Sequence, residues 1–463
     1  MNQERNFFDW EDSFELIENV ELDVYVNGSL KKSDVCVDKI EVRREQSGLL
    51  RFSLFTQDHF AEGLTKGEKK IYNLKIELRI KEPSLCHYNS IVLHDANLGN
   101  QKWSYTIGHE QQITAKKITY ISNRKKLILK EWYGCKNKLD FYNGFSTSKS
   151  TEETITYKDQ NRISFQMKSK SGSHSINSFW VKLDDFKFKV SITNDSREDN
   201  EYSDYVLEYR DIWGHIPNEE TRYDISLFLS FIIGTKLIKF GETYFDSSFI
   251  SQKEYISPPP IDRSFLYQSA FAFYNDDYRQ NDTDVVIKQI PKMLRRYFLL
   301  KEKYRLNEVL SAFFARSYLN YNFINYVTYI EMFSNIDIGQ TASLVNKKQF
   351  QKILKELNQL ENIPGEIKDK FRNLNLMGIG KKIRLLLSKS NIDYSRYKDI
   401  FSVRGRVVHG ADVDIRDMYL SSEKAKELLT ILTLKKLHYK GYIRNFTNND
   451  ELISIGDMST III

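Results

Sequence analysis

The spacing of apolar positions changes part-way along the chain. Over the first two hundred residues they tend to recur at every second position. In "NLKIELRI", Leu74, Ile76, Leu78 and Ile80 alternate with polar residues, the pattern of a strand with one face buried. "ITYIS", "KLILK", "ETITYK", "RISFQMK", "FWVKL" and "FKFKVSIT" continue the series. "LDVYVNGSLKK" places Asn27 and Gly28 between apolar residues, and both tolerate the positive φ that a two-residue hairpin turn demands. Polar breaks such as "NDSREDNE" (194–201) separate the strands. The spacing predicts a sandwich or barrel-like β domain over about residues 15–210.

Residues 222–233, "RYDISLFLSFII", read as a buried helix stopped by Gly234, and "KLIKFGETYF" then reads as a strand. Three prolines in "SPPPIDR" (257–263) cannot sit inside a helix, so a linker is expected there. From about residue 285 the period becomes helical. "VVIKQIPKMLRRYFLLKEKY" carries Pro291 early, which predicts a kink in its first turns. "LNEVLSAFFARSYLN", "YNFINYVTYIEMFSN", "SLVNKKQFQKILKELNQLEN", "GKKIRLLLSKS", "YKDIFSVRGRVVHG" and "SSEKAKELLTILTLKKLHYKGY" follow. In the last, Ser421 is the expected N-cap and Gly441 the expected stop. Five to seven helices result, with no internal repeat. The expected architecture is α+β and multidomain: a β-rich domain over 1–220, a helix-strand connector with a Pro-rich linker over 221–280, and an all-α bundle over 281–463.

Composition adds limits. Forty-one per cent hydrophobic residues and 13% aromatics in 463 residues suit folded domains rather than disorder. Cys36, Cys86 and Cys135 are odd in number and widely spaced, which fits neither a disulfide framework nor a zinc module and suits a reducing cytoplasm. The first residues, "MNQERNFFDWEDSFE", lack the apolar core of a signal peptide, and no apolar run, the "STIII" tail included, approaches the ~20 residues of a membrane span. The net charge of +6 is uneven: residues 281–463 hold 30 Lys and Arg against 20 Asp and Glu, while the rest hold 38 against 42. A basic C-terminal part suits a polyanionic partner, nucleic acid first.

Most familiar chemistry is missing. "MGIGKK" (377–382) lacks the length and the hydroxyl of a phosphate-binding loop. Cys86-His87 with His94 matches no standard zinc spacing, and His59, His109, His174 and His215 are scattered single residues. No metal or cofactor is expected.

One stretch stands out: "FSVRGRVVHG" (401–410). On a helix, Arg404 and His409 lie about 140° apart, so they can flank a groove without stacking. Gly410 allows a left-handed turn that leaves His409 in the last turn, facing out, while Val407 and Val408 are expected on the core side. RNA carries its own nucleophile, the 2′-hydroxyl. Its cleavage needs a base, an acid and positive charge on the phosphorane. Histidine fills either proton role near neutral pH, and arginine grips phosphate bidentately. One chain supplies one such histidine, so the chemistry points to a dimer with a shared cleft.

"VRGRVVHG" resembles the Arg-x4–6-His motif of HEPN domains, helical modules best known as metal-independent ribonucleases. The likeness is to the ApeA-like HEPN branch, in which a β-rich region precedes a C-terminal HEPN domain ending in an Arg-x-Arg/Lys-aliphatic-Val-His-Gly stretch. The motif stands about 50 residues from the C-terminus, "FINYVTYIEMFSN" resembles the early HEPN helix, and "SLFLSFIIGTKLIKF" (226–240) resembles the joining segment. The resemblance implies Arg404 and His409 as the catalytic pair, Glu331 as the residue that orients Arg404, and Arg406 as a second phosphate contact. Lys381, Lys382 and Arg384 are expected to line the RNA approach. Where the family often has a polar residue after the motif's arginine, this chain has Gly405. Implied with it are cleavage of host RNA, with tRNA one candidate, in an abortive anti-phage response, a homodimer or higher oligomer, and a β-rich domain that senses a phage-derived trigger or restrains the nuclease. The alternatives are a non-catalytic HEPN module that binds RNA or protein, or a toxin held by a separate antitoxin.

Overall fold

Asn27 and Gly28 do turn a hairpin, with φ of 49° and 82°. It joins β2 (Val20–Val26) to β3 (Ser29–Arg44) and is pinned to the next strand, because the Asn27 side chain accepts from the Lys75 amide at 3.0 Å. In this computed structural model the described residues are 13–16, 20–45, 48–56, 73–81, 88–104, 108–135, 154–158, 164–168, 177–193, 203–246, 250–257, 271, 280–315, 318–340, 342–359, 375–447 and 452–455. The Cys86-His87 pair, His59, His174, the three prolines of the linker and the "STIII" tail lie outside them. The chain divides into two compact units: Met1–Ser226 with Thr235–Leu266, and Leu227–Gly234 with Tyr267–Ile463.

The first unit is antiparallel β. After a short β1 (Ser13–Leu16) and the β2–β3 hairpin come β4 (Leu50–Thr56), β5 (Leu74–Ile80), β6 (Ser90–Ser104) and β7 (Gly108–Ala115). Strands β6-β5-β2-β3-β4-β7 run in that order, and β7 pairs back on β6, which closes a six-strand barrel. Two long strands make the corners. β3 pairs with β2 over Ser29–Val37 and with β4 over Val37–Arg44. β6 pairs with β5 over Ser90–Ala96 and with β7 over Asn97–Ser104. Alternation fills the interior: Val20, Leu22, Val24 and Val26 from β2 meet Leu74, Ile76, Leu78 and Ile80 from β5, all buried. Each contributes about 1.5–3 kcal/mol by leaving water.

From β6 an open sheet continues. Its strands are β8 (Lys117–Ile121), β9 (Ile128–Cys135), β12 (Asn177–Lys182), β13 (Lys187–Thr193), β14 (Ser203–Arg210), β15 (Ile238–Phe245) and β16 (Ile250–Ile256), in the order β8-β16-β15-β9-β14-β13-β12. A separate hairpin is formed by β10 (Thr154–Lys158) and β11 (Ser164–Lys168). Strands β15 and β16 fall in the span expected to be a connector, yet they fill the middle of this sheet, between β9 and β8. Their place is set by pairing across more than a hundred residues, which no local pattern encodes.

This sheet buries charge. Glu131, Glu242 and Glu254 stand opposite one another on β9, β15 and β16. Arg222 and Lys239 hold Glu131 at 2.9 and 2.8 Å, Lys239 also holds Glu242 at 2.6 Å, and Lys117 meets Glu254 at 2.7 Å. Burial raises the Glu131 carboxyl, but Lys239 and Arg222 more than offset it and hold it below the usual carboxylate range. On the neighbouring row Glu208 faces Lys130 and Lys189 across two strand pairs and bonds Arg210 at 2.6 Å. Burial opposes the Glu208 charge, yet Arg210, Lys130 and Lys189 together bring its pKa down to about 2. Three cations share that one carboxylate. Desolvation therefore wins at Lys130, whose pKa falls to about 8.

The second unit is helical. Helix α1 (Glu219–Ile233) is divided between the two units, Glu219–Ser226 in the first and Leu227–Ile233 in the second, and ends at Gly234, as expected, with φ of +80°. It is followed by α2 (Gln280–Tyr304), α3 (Leu306–Ala312), α4 (Leu319–Ile338), α5 (Lys347–Asn358), α6 (Ile379–Lys389), α7 (Tyr394–Val408) and α8 (Ile415–Lys436). Helix α2 runs through Pro291. Helix α4 packs against α8, α6, α7, α3 and α2, so it is the hub of the bundle. Two boundaries differ from expectation. Asp414, not Ser421, caps α8: its carboxylate accepts from the Arg416 and Asp417 amides, whereas Ser421 is buried mid-helix. The helix stops at Leu437 with His438 at φ +60°, and Gly441 opens a small hairpin of β17 (Gly441–Arg444) and β18 (Leu452–Ile455). Among the described residues no helix is long and apolar enough to cross a membrane.

Candidate functional site

Helix α7 carries the stretch of interest, and local chemistry fixes both of its ends. Asp393 caps the start by accepting from the Ser395 amide at 2.9 Å. Tyr397, Ile400 and Val403 form the buried face. The end is a Schellman motif: Gly410, at φ +71°, donates to the Val407 carbonyl, and Ala411 donates to that of Arg406. His409 is exposed, as the sequence predicts, but it is the C-cap just past the last turn rather than within it. The core side differs. Val403 is buried, Val407 is half-buried and Val408 is 52% exposed, because Val408, still helical, is turned 100° on from Val407 and off the face that Val403 buries.

One turn earlier, Arg404 reaches across to α4. Its Nε lies 3.2 Å from Glu331 Oε1, and its terminal nitrogen donates to Oε2 at 3.4 Å. Both oxygens of one carboxylate thus hold one guanidinium, an arrangement that fixes the plane as well as the position of the arginine. The Arg404 side chain keeps 35% of its surface exposed and Glu331 keeps 19%, so the pair is open to a ligand on one side. Glu331 sits in mid-helix, two turns before α4 ends at Ile338.

The chain matches no family model, no curated protein and no solved structure.

The remaining candidates separate into three kinds. Arg406 lies on the surface, 3.7 Å from the equally exposed Asp417. Lys381 and Arg384 face solvent on α6, and the Arg384 guanidinium lies over the Tyr394 ring at 4.8 Å. Lys382, expected to line an RNA path, is buried instead. It donates to Asn335 Oδ1 at 2.9 Å and to the Gln340 carbonyl at 2.8 Å, and so ties α6 to the end of α4. Burial without partners is costly for an ammonium, and these two acceptors satisfy it. "MGIGKK" forms the start of α6, with Gly378 as N-cap.

Beside the ion pair, α4 presents a groove of about 420 Å³ lined by Thr328, Glu331, Met332, Asn335, Ile336 and Gln340. Thr328, Glu331, Met332, Asn335 and Ile336 recur at spacings of three and four and share one face of the helix, and Gln340 follows just past its end. Sequence reading singles out only Glu331 among them. In the β unit, His94 is half-buried, with burial and the nearby Lys117 and Lys75 lowering its pKa, and His215 meets the Phe186 ring edge-on at 5.2 Å. Among the described residues no three of His, Cys, Asp and Glu converge in a way that would hold a metal ion.

Proposed function

We propose that the chain is an endoribonuclease of the ApeA-like HEPN kind, working without a metal through Arg404 and His409. The observation that carries this reading is the bidentate Arg404–Glu331 pair, which presents a fixed and half-exposed guanidinium one turn before an exposed histidine. Arg404 receives the scissile phosphate and stabilises the charge of the phosphorane. His409 moves a proton, either from the 2′-hydroxyl or to the leaving 5′-oxygen. The second proton role falls to the same histidine of a second copy. Exposed apolar residues next to His409 suit a self-contact: Val408, Ile415 and Tyr419 are 52%, 80% and 56% exposed. Arg406 and Lys381 add surface charge for the RNA strand. The β unit senses a phage-derived trigger or restrains the nuclease, so that cleavage of host RNA halts growth only on infection.

One observation favours a second reading. Arg404 already has a carboxylate partner, so the pair can be a tie between α4 and α7 in a module that binds RNA or protein without cutting. The test compares wild type with Arg404→Ala and His409→Ala for growth arrest, phage protection and RNA cleavage in EDTA. The ribonuclease reading expects folded variants that neither cut RNA nor protect. It fails if both variants match wild type, or if EDTA alone abolishes cleavage. Mixing the two variant chains restores part of the activity if the site draws on both copies. Activity from a strict monomer in light scattering would refute the shared cleft.

A further inference from the structure

We propose that the groove on α4 is a base-binding subsite that holds the nucleobase next to the phosphate gripped by Arg404, and that it prefers a base with an exocyclic carbonyl, uracil, guanine or cytosine, over adenine. The proposal rests on the ribonuclease reading for its substrate, and on four features of the groove for its chemistry.

Its volume of about 420 Å³ lies in the range of small-ligand sites. Met332 and Ile336, one turn apart and half-buried, give it an apolar wall for the face of a ring. Glu331 belongs both to the groove and to the ion pair, so a base in the groove and a phosphate on Arg404 are neighbours. The fourth feature sets the preference. Lys382, buried below, donates to Asn335 Oδ1 and to the Gln340 carbonyl. An ammonium can only donate, so this contact fixes which end of the Asn335 amide is the oxygen. The Nδ2 group is left as the donor end for a ligand. Asparagine reads adenine by using its oxygen and nitrogen together. With Lys382 occupying one of the two lone pairs of that oxygen, the amide is weighted toward its Nδ2 donors, and these favour the carbonyl oxygen of uracil, guanine or cytosine over the weaker ring-nitrogen acceptors of adenine.

The test uses the full chain labelled with ¹³C-methyl methionine, with Met332 assigned among the seven methionines by Met332→Leu. The probes are the 2′-O-methyl dinucleotides UpU, GpU, ApU and CpU, which lack the nucleophile and cannot be cut. UpU, GpU and CpU are expected to shift the Met332 methyl at concentrations at least about fivefold lower than ApU requires. Asn335→Asp keeps an acceptor for Lys382 and removes the Nδ2 donors. It is expected to melt with wild type and to lose the preference, both in binding and in the base found at RNA cut sites. Three results overturn the proposal: no Met332 shift with any dinucleotide, equal shifts for all four bases on wild type, or an unchanged preference in a folded Asn335→Asp. The first two need no variant. Selective binding at Met332 without RNA cleavage leaves the subsite standing and removes the ribonuclease reading.

Discussion

Replacing Glu331 by glutamine isolates what the ion pair does. The carboxylate holds Arg404 through two contacts, at 3.2 and 3.4 Å. Glutamine keeps one acceptor, loses the charge, and turns an amide N–H₂ toward a guanidinium that can only donate. The pair is partly exposed, so its loss costs about 0.5–1 kcal/mol of stability, and the melting temperature falls by less than about 4 °C. The effect on rate is larger. A reacting group displaced by 1 Å costs up to about a hundredfold, so Glu331→Gln is expected to slow cleavage about 10- to 100-fold, or about 1.4–3 kcal/mol. On the proposed ribonuclease reading, Arg404→Ala removes the phosphate contact outright and is expected to cost about 10²- to 10³-fold. Single-turnover cleavage of a quenched fluorescent RNA measures all three variants. If Glu331 acts only through Arg404, the double variant is no slower than Arg404→Ala. Losses that add instead would show that Glu331 acts on the reaction separately. A melting temperature lower by 10 °C or more would make the glutamate a structural residue, and the reasoning would fail.

Three further outcomes follow from the structure. The pKa of Glu208 is low when folded, near 2, so its stabilising contribution is present above the unfolded value of 4.5 and is lost as pH falls toward 2, about 3 kcal/mol in all. Urea midpoints between pH 5 and pH 2 should drop less steeply for Glu208→Gln than for wild type, and parallel curves would contradict the assignment. Gly405 sits in the interior of α7, and apart from its chain neighbours and the backbone of its own helical turns no atom lies within 4 Å of the place a Cβ would occupy. Gly405→Ala should therefore raise stability by about 0.5–1 kcal/mol and leave cleavage intact, a gain in melting temperature that calorimetry resolves. Gly214, at φ +122°, leaves no such room, since a Cβ would stand 2.2 Å from the Asp185 carbonyl oxygen. Gly214→Ala should cost at least about 2 kcal/mol by the same measurement, and an unchanged melting curve would refute the close approach.

What the sequence discloses depends on whether a residue's partner is local. Strands β2 and β5 of the barrel are legible because one face of each is buried and the other is not, so Leu74, Ile76, Leu78 and Ile80 alternate visibly. The open sheet hides its nature for the opposite reason. Lys130 and Glu131 are consecutive, point to opposite faces, and are both buried, each beside opposite charge supplied by other strands or by α1. Read in sequence, such residues mark a solvent face. The end of α7 is legible because a Schellman turn is closed within six residues, Arg406 to Ala411. The Arg404–Glu331 contact spans 73 residues, and no spacing rule predicts it; only the family resemblance pairs them. Lys381 and Lys382 carry the lesson furthest. They are adjacent and chemically identical, yet 100° of helix turns one to solvent and the other into the bundle. The surplus of ten positive charges in residues 281–463 therefore overstates the charge open to a phosphate ligand at this site. Lys382 is occupied by Asn335 and Gln340, and Arg404 is half-neutralised by Glu331. If the site binds phosphate, its affinity comes less from bulk charge than from one guanidinium whose orientation a carboxylate has already fixed, and salt should weaken binding less than the net charge suggests.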